Sequence, residues 1–287
     1  MNNIYILLIY IICSNAYSAQ AQEEIIINKN SSIKFSTWNQ ETKAWGNIIF
    51  ETRDQKFNIY SPLGLPGQNT SKTTVSSNEK LLSENGRLLL VERIISTELY
   101  DESGNPQPSE RMYCDILDTA TGCVLSSHTG GFCAGSWSNN KWENASGQPI
   151  GSNLETSAPK DVLEALLRSD SDDVKINEIS NFLYMGVESY LACHPPTNSN
   201  IQQLNDIGFF IYTLGSSNNA MLIYKAVEGI SPNRIVLKLN IADTLWELND
   251  HEKAINYYNK YIELMSKHDK SKKIPTRALV RARAKTN

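Results

Sequence analysis

The chain has 287 residues, with 27 Lys and Arg against 31 Asp and Glu, a formal net charge of −4. That length accommodates two modest domains, each with its own core, and the mild acidity argues against nucleic acid as a partner. The charge is uneven: residues 267–287 hold eight Lys or Arg and one Asp, a net of +7, which leaves −11 for residues 1–266. Such asymmetry bears on partners rather than on fold.

Residues 4–12 form an apolar run too short to span a bilayer as a stable helix. The run leads into Ala16-Tyr17-Ser18-Ala19-Gln20-Ala21, whose small-x-small triplets suit signal peptidase. Residues 1–21 are therefore expected to be a secretory signal, cut after Ala21 or Ala19, although no Lys or Arg precedes the apolar run. Cys13 follows Ile12, where lipid modification wants a small residue. No second long apolar run follows, so the mature chain is expected to be exported and periplasmic, without stable membrane insertion.

From residue 24 to about 148 the pattern is strand-like. Short β-branched or aromatic runs at 25–27, 33–38, 47–52 and 57–60 are separated by polar breakers. A Pro/Gly-rich loop at 61–67 and a polar, mobile stretch at 68–80 come next. The strongest strand is 88–95, followed by a turn cluster at 101–106 and a hairpin of 112–117 with 123–127. Residues 130–137 close this half. The fold class expected is α+β: a mainly antiparallel β domain over 22–150, then an all-α domain over 157–287.

Four cysteines remain after cleavage: Cys114, Cys123, Cys133 and Cys193. An even count in an exported chain favours disulfides, with three possible pairings. Proximity in sequence favours Cys123–Cys133 as a local clip and Cys114–Cys193 as a tie to the helical half, with Cys114–Cys123 nearly as good.

Helical periodicity begins at Ser157, an N-cap candidate, with Pro159 in the first turn and Val162, Leu163, Leu166 and Leu167 on one face. The acidic loop at 169–173 lacks the Gly and distal Glu of a calcium loop and reads as helix capping. A second helix is expected over 177–193, stopping before Pro195-Pro196. Residues 200–266 then carry two copies of one pattern offset by 34. Gly208 matches Ala242, Ala220 matches Ala254, and Tyr224 matches Tyr258. Ile207 matches Ile241, Ile211 matches Leu245, Leu214 matches Leu248, and Val227 matches Tyr261. These residues resemble the tetratricopeptide repeat family, which has the same period. Small residues let the two helices of a hairpin approach, and the tyrosines fill the space against the next hairpin. The repeats are placed at about 201–234 and 235–268, followed by a basic C-terminal helix starting near Pro275.

The resemblance implies a concave face lined by the first helix of each pair, which would carry Asn205, Phe209, Tyr212, Asp243 and Trp246. The Lys and Asn of the family's carboxylate clamp are missing, so chaperone-tail binding is not expected. Arg277, Arg281 and Lys285 share one face of the last helix, a basic patch that either caps the array or steers an acidic partner. Catalysis is not expected. Ser126, Ser127 and His128 lie outside any Gly-x-Ser-x-Gly elbow, and Cys114, Cys123, His128 and Cys133 lack the Cys-x2-Cys spacing of a zinc knuckle. No cofactor and no metal site is expected. The organisation of signal, small β domain and short repeats loosely resembles bacterial periplasmic immunity proteins that neutralise a toxin. Stoichiometric binding of a protein, toxin or envelope component, is therefore the function expected. A scaffold or assembly factor of an envelope complex is the alternative, and a hydrolase is the alternative of another class.

Overall fold

The computed structural model of the protein describes residues 22–28, 31–40, 42–67, 71–76, 81–150 and 153–284. The expected secretory signal, residues 1–21, and Lys285 of the basic patch lie outside the described residues.

The strand-like half forms an eight-stranded antiparallel sheet. Its strands are β1 (Gln22–Asn28), β2 (Ser31–Asn39), β3 (Ala44–Thr52), β4 (Lys56–Ile59), β5 (Ser71–Ser76), β6 (Leu88–Tyr100), β7 (Pro106–Asp118) and β8 (Cys123–Thr129). The order is β1-β2-β3-β5-β6-β7-β8, with β4 also paired to β3. Alternation sets the faces: in β2, Ile33 and Phe35 are buried, whereas Lys34 between them reaches Glu51 at 3.1 Å and Glu24 at 3.5 Å. The polar stretch read as mobile contains β5, whose Ser and Thr residues hide the strand signal. A small second sheet follows, of β9 (Gly135–Ser138), β10 (Lys141–Asn144) and β11 (Pro149–Ile150). It is pinned by its tryptophans: Trp142 donates through Nε1 to the Phe132 carbonyl at 2.8 Å, and Trp137 to that of Leu81 at 2.7 Å.

The cysteines pair as Cys114–Cys133 and Cys123–Cys193, with Cα separations of 5.3 and 4.8 Å. This corrects the pairing expected from proximity, and the hairpin register explains why. Cys114 lies opposite His128, and Cys123 opposite Asp118. Extended β8 thus carries the chain away from Cys123, and the turn at Gly130–Phe132 brings Cys133 back over Cys114. Cys123, left at the other end of β8, meets the helical half.

The helices are α1 (Pro159–Arg168), α2 (Asp172–Phe182), α3 (Val187–Cys193), α4 (Ile201–Thr213), α5 (Ser217–Ile230), α6 (Ile235–Glu247), α7 (His251–Lys267) and α8 (Thr276–Arg281). Ser171 caps α2 by accepting from the Val174 N–H at 3.3 Å, as the acidic loop suggested. Ala158, not Ser157, holds the N-cap place of α1, without a side-chain bond. The helix expected over 177–193 is two helices, α2 and α3. They part at Gly186, whose φ of +84° is the left-handed region where a side chain is strained. A Cβ there would also lie 2.9 Å from the backbone nitrogen of Ser61.

One hydrophobic core joins the halves, running from Ile25 in β1 to Ala278 in α8. Polar ties cross the same seam. The Tyr60 N–H donates to the Met185 carbonyl at 2.8 Å, Ser189 donates to the Gly122 carbonyl at 2.7 Å, and Asn219 donates to that of Leu63 at 2.8 Å. The helical repeats are thereby held at a fixed place on the sheet.

Candidate protein-interaction surface

Two helix hairpins, α4–α5 and α6–α7, repeat one packing solution. Gly208 is the contact point of the first: a Cβ built on it would meet the Tyr224 ring at 2.7 Å. Tyr224 and its counterpart Tyr258 are fully buried, and so are Ala242, Ala220 and Ala254. The first helices of the two hairpins touch through Asn240, which donates to the Asn205 side-chain oxygen at 3.1 Å.

The hairpins differ sharply at the matched pair 209 and 243. Where the first has Phe209, 45% exposed, the second has Asp243, 6% exposed. The Asp243 carboxylate accepts from the Tyr258 hydroxyl at 2.6 Å. It also takes Arg277 Nη2 at 2.7 Å and Nε at 3.2 Å, and Arg281 Nη1 at 3.1 Å. Burial and the hydrogen bond to Asp243 push the Tyr258 hydroxyl well above its ordinary pKa. Tyr224 has no carboxylate in the matching place; its buried hydroxyl has no partner among the described residues, and burial raises its pKa further. Arg281 in turn lies 5.0 Å over the Trp246 ring, which stacks on His251 at 4.3 Å. Burial raises the Tyr212 pKa, with Asp243 and Glu247 adding to the shift, so Tyr212 belongs to the same electrostatic cluster.

The residues expected on the concave face have definite places. Asn205 is buried at the joint between α4 and α6, Phe209 is exposed on α4, and Tyr212 and Trp246 are half-buried. Asp243 sits beneath the arginines. The arginines of α8 are drawn onto this cluster, so the repeats and the basic helix form one surface. The signal for this was in the spacing: Arg277 lies 34 residues after Asp243, as Asp243 does after Phe209. Elsewhere, Ser126 is buried, and His128 lies against the Phe132 ring, 3.8 Å from Glu155.

Stacked helix hairpins with an open, side-chain-rich face define the class of helical-repeat interaction scaffolds. The tetratricopeptide repeat family model matches residues 237–268, which are α6 and α7 almost end to end. Comparison with curated proteins finds no match. The repeat is a protein-interaction element, which points to protein partners. Among the described residues, no helix is long and apolar enough to cross a membrane, and the two disulfides are compatible with an oxidising compartment.

Proposed function

We propose that this protein works in the periplasm by binding another protein stoichiometrically, and that its task is to neutralise a toxin as an immunity protein. The observation carrying this reading is the surface that α4, α6 and α8 build together. Phe209 stands exposed, Tyr212 is half-buried, Trp246 is held half-buried against Arg281 and His251, and Arg277 keeps half of its side chain in solvent. Aromatic and arginine side chains on a rigid frame are the groups that most often dominate binding energy. Export is supported by the apolar run and small-residue site at 1–21 and by the two disulfides.

The test is affinity capture of the mature chain from its own cells, followed by binding measurements on the purified pair. Phe209→Ser with Arg277→Ser should weaken the pair at least tenfold, a loss of about 1.4 kcal/mol or more, while the melting temperature falls only by the few degrees that losing the Arg277–Asp243 bonds costs. For the immunity role, cells expressing the partner alone should stop growing and be rescued by this protein. A partner that is a constitutive envelope complex, with no effect on growth, would instead make the protein an assembly factor.

A further inference from the structure

Where the helices meet the sheet, an open groove of about 640 Å³ lies between α3 and α5. Helical spacing builds its two walls. Glu188, Leu191 and Ala192 fall at i, i+3 and i+4 of α3, and Leu222 and Ala226 at i and i+4 of α5. The α5 wall continues beyond the groove. Leu222 is 37% exposed, and Ile230, four residues past Ala226 on the same row, is 47% exposed. At 1.5 Å per residue that ridge is about 12 Å long. A patch of bare apolar side chains with a polar rim marks a place of contact with another molecule.

The charges around the groove say what kind of molecule. Glu188 is half-buried among the apolar side chains, and its carboxylate has no hydrogen bond or ion pair among the described residues. The first turn of a helix favours an acid, but here desolvation wins: burial lifts the Glu188 carboxyl above its ordinary 4.5, and no cation draws it back down. Two other charged side chains line the groove, Asp54 and Lys56. Lys56 is held by Glu51 at 3.1 Å, whereas Asp54 is exposed with no ion pair among the described residues. The cation is therefore matched and both acids are left over. A carboxylate set against apolar walls without a counter-ion costs free energy that a bound cation would recover.

We propose that this groove docks a segment of a protein partner in which an arginine or lysine is flanked by aliphatic residues. The long stem of that side chain lies along Leu191 and Leu222 while its charged head reaches Glu188. The flanking aliphatic residues cover Ala226 and Ile230. The groove shares no residue with the surface of α4, α6 and α8, so it is a second contact and not an extension of the first.

A random peptide library displayed on phage, selected in parallel on the mature protein and on its Leu222→Ser, Ile230→Ser variant, tests the site. Both residues are exposed, so the variant should melt within a few degrees of the parent. Peptides enriched on the parent alone should carry Arg or Lys beside aliphatic residues. Made synthetically, they should bind Glu188→Gln about fivefold more weakly than the parent and bind Phe209→Ser as tightly as the parent. An empty parent-only set, or a set without cations, overturns the proposal. So does a set whose affinity ignores Glu188→Gln or falls with Phe209→Ser. If sedimentation shows instead that the parent self-associates and the double variant is monomeric, the groove takes a second copy of this chain and the proposed partner is wrong.

Discussion

Asp243 is the place where packing and surface chemistry can be separated by two substitutions. Its carboxylate holds one buried donor, Tyr258, and two arginines that still reach water, with side chains 50% and 24% exposed. Asp243→Asn keeps an oxygen for Tyr258 and removes only the charge. Solvent replaces much of what the arginines lose, so each charge-assisted bond counts for about 1 kcal/mol rather than the larger value of a buried one, and the loss is about 2 kcal/mol. Asp243→Ala also strands the Tyr258 hydroxyl inside the hairpin, which adds about 1–3 kcal/mol. The expected order is therefore parent, then Asn, then Ala, with the two variants separated by more than about 1 kcal/mol in urea denaturation. Hydrogen exchange should show α8 opening in both variants before the rest of the chain. Equal losses in Asn and Ala, or α8 amides as protected as in the parent, would refute the idea that one carboxylate fastens the basic helix to the array.

Removing Cys123–Cys193 by double alanine substitution opens a separation of 70 residues and should cost about 4 kcal/mol, against about 3 kcal/mol for Cys114–Cys133 with 19; chemical denaturation of each variant gives the comparison. Gly208→Ala should destabilise by about 1–2 kcal/mol, because overpacking against Tyr224 at 2.7 Å outweighs the gain in helix propensity. Gly229→Ala, where an added Cβ meets nothing within 4 Å, should be neutral or slightly stabilising in the same assay. Burial alone would push the Glu228 carboxyl up, but hydrogen bonds from Lys238, Lys225 and Tyr257 hold it below its ordinary 4.5. Its contribution is therefore complete above pH 4.5 and is lost as pH falls through the lower folded value. Glu228→Gln should be less stable than the parent at pH 7, and the gap should close on acidification below 4.5.

What could be read from the sequence depended on whether a residue's role was local. The repeats were legible because small and large side chains must alternate at a fixed period for hairpins to stack, and Gly208, Ala242, Tyr224 and Tyr258 state that rule directly. The break between α2 and α3 was not, since Gly186 sits within an apolar pattern that continues across it. β5 was hidden because Ser71–Ser76 has one apolar residue, Val75, and owes its strand form to β6 beside it. Disulfide partners depend on hairpin register and on the turn after β8, neither of which proximity in sequence encodes. The cluster under α8 was half legible: Asp243 and Arg277 were each singled out, but that they meet follows only when the period is carried past the second repeat.

Two hairpins alone would leave an apolar helix face bare at each end, and repeat arrays need covered ends. Here α1 packs on α4 and α3 on α5, so the sheet-mounted helices cover the first end. At the other, α8 packs on α7 and matches, 34 residues on, the second half of α6. That choice of cap changes the chemistry along the ladder, from Phe209 through Asp243 to Arg277. An element lying along it meets an apolar site at one end and cations at the other, so the two contributions respond differently to salt. Exposed charge pairs weaken as the Debye length shrinks, from about 10 Å at 0.1 M to about 3 Å at 1 M, whereas apolar burial does not. Arg277→Ser should therefore flatten the salt dependence of partner binding, and Phe209→Ser should lower affinity equally at every salt concentration. If Phe209→Ser changed the salt slope instead, the two positions would not be separate contacts along one bound element.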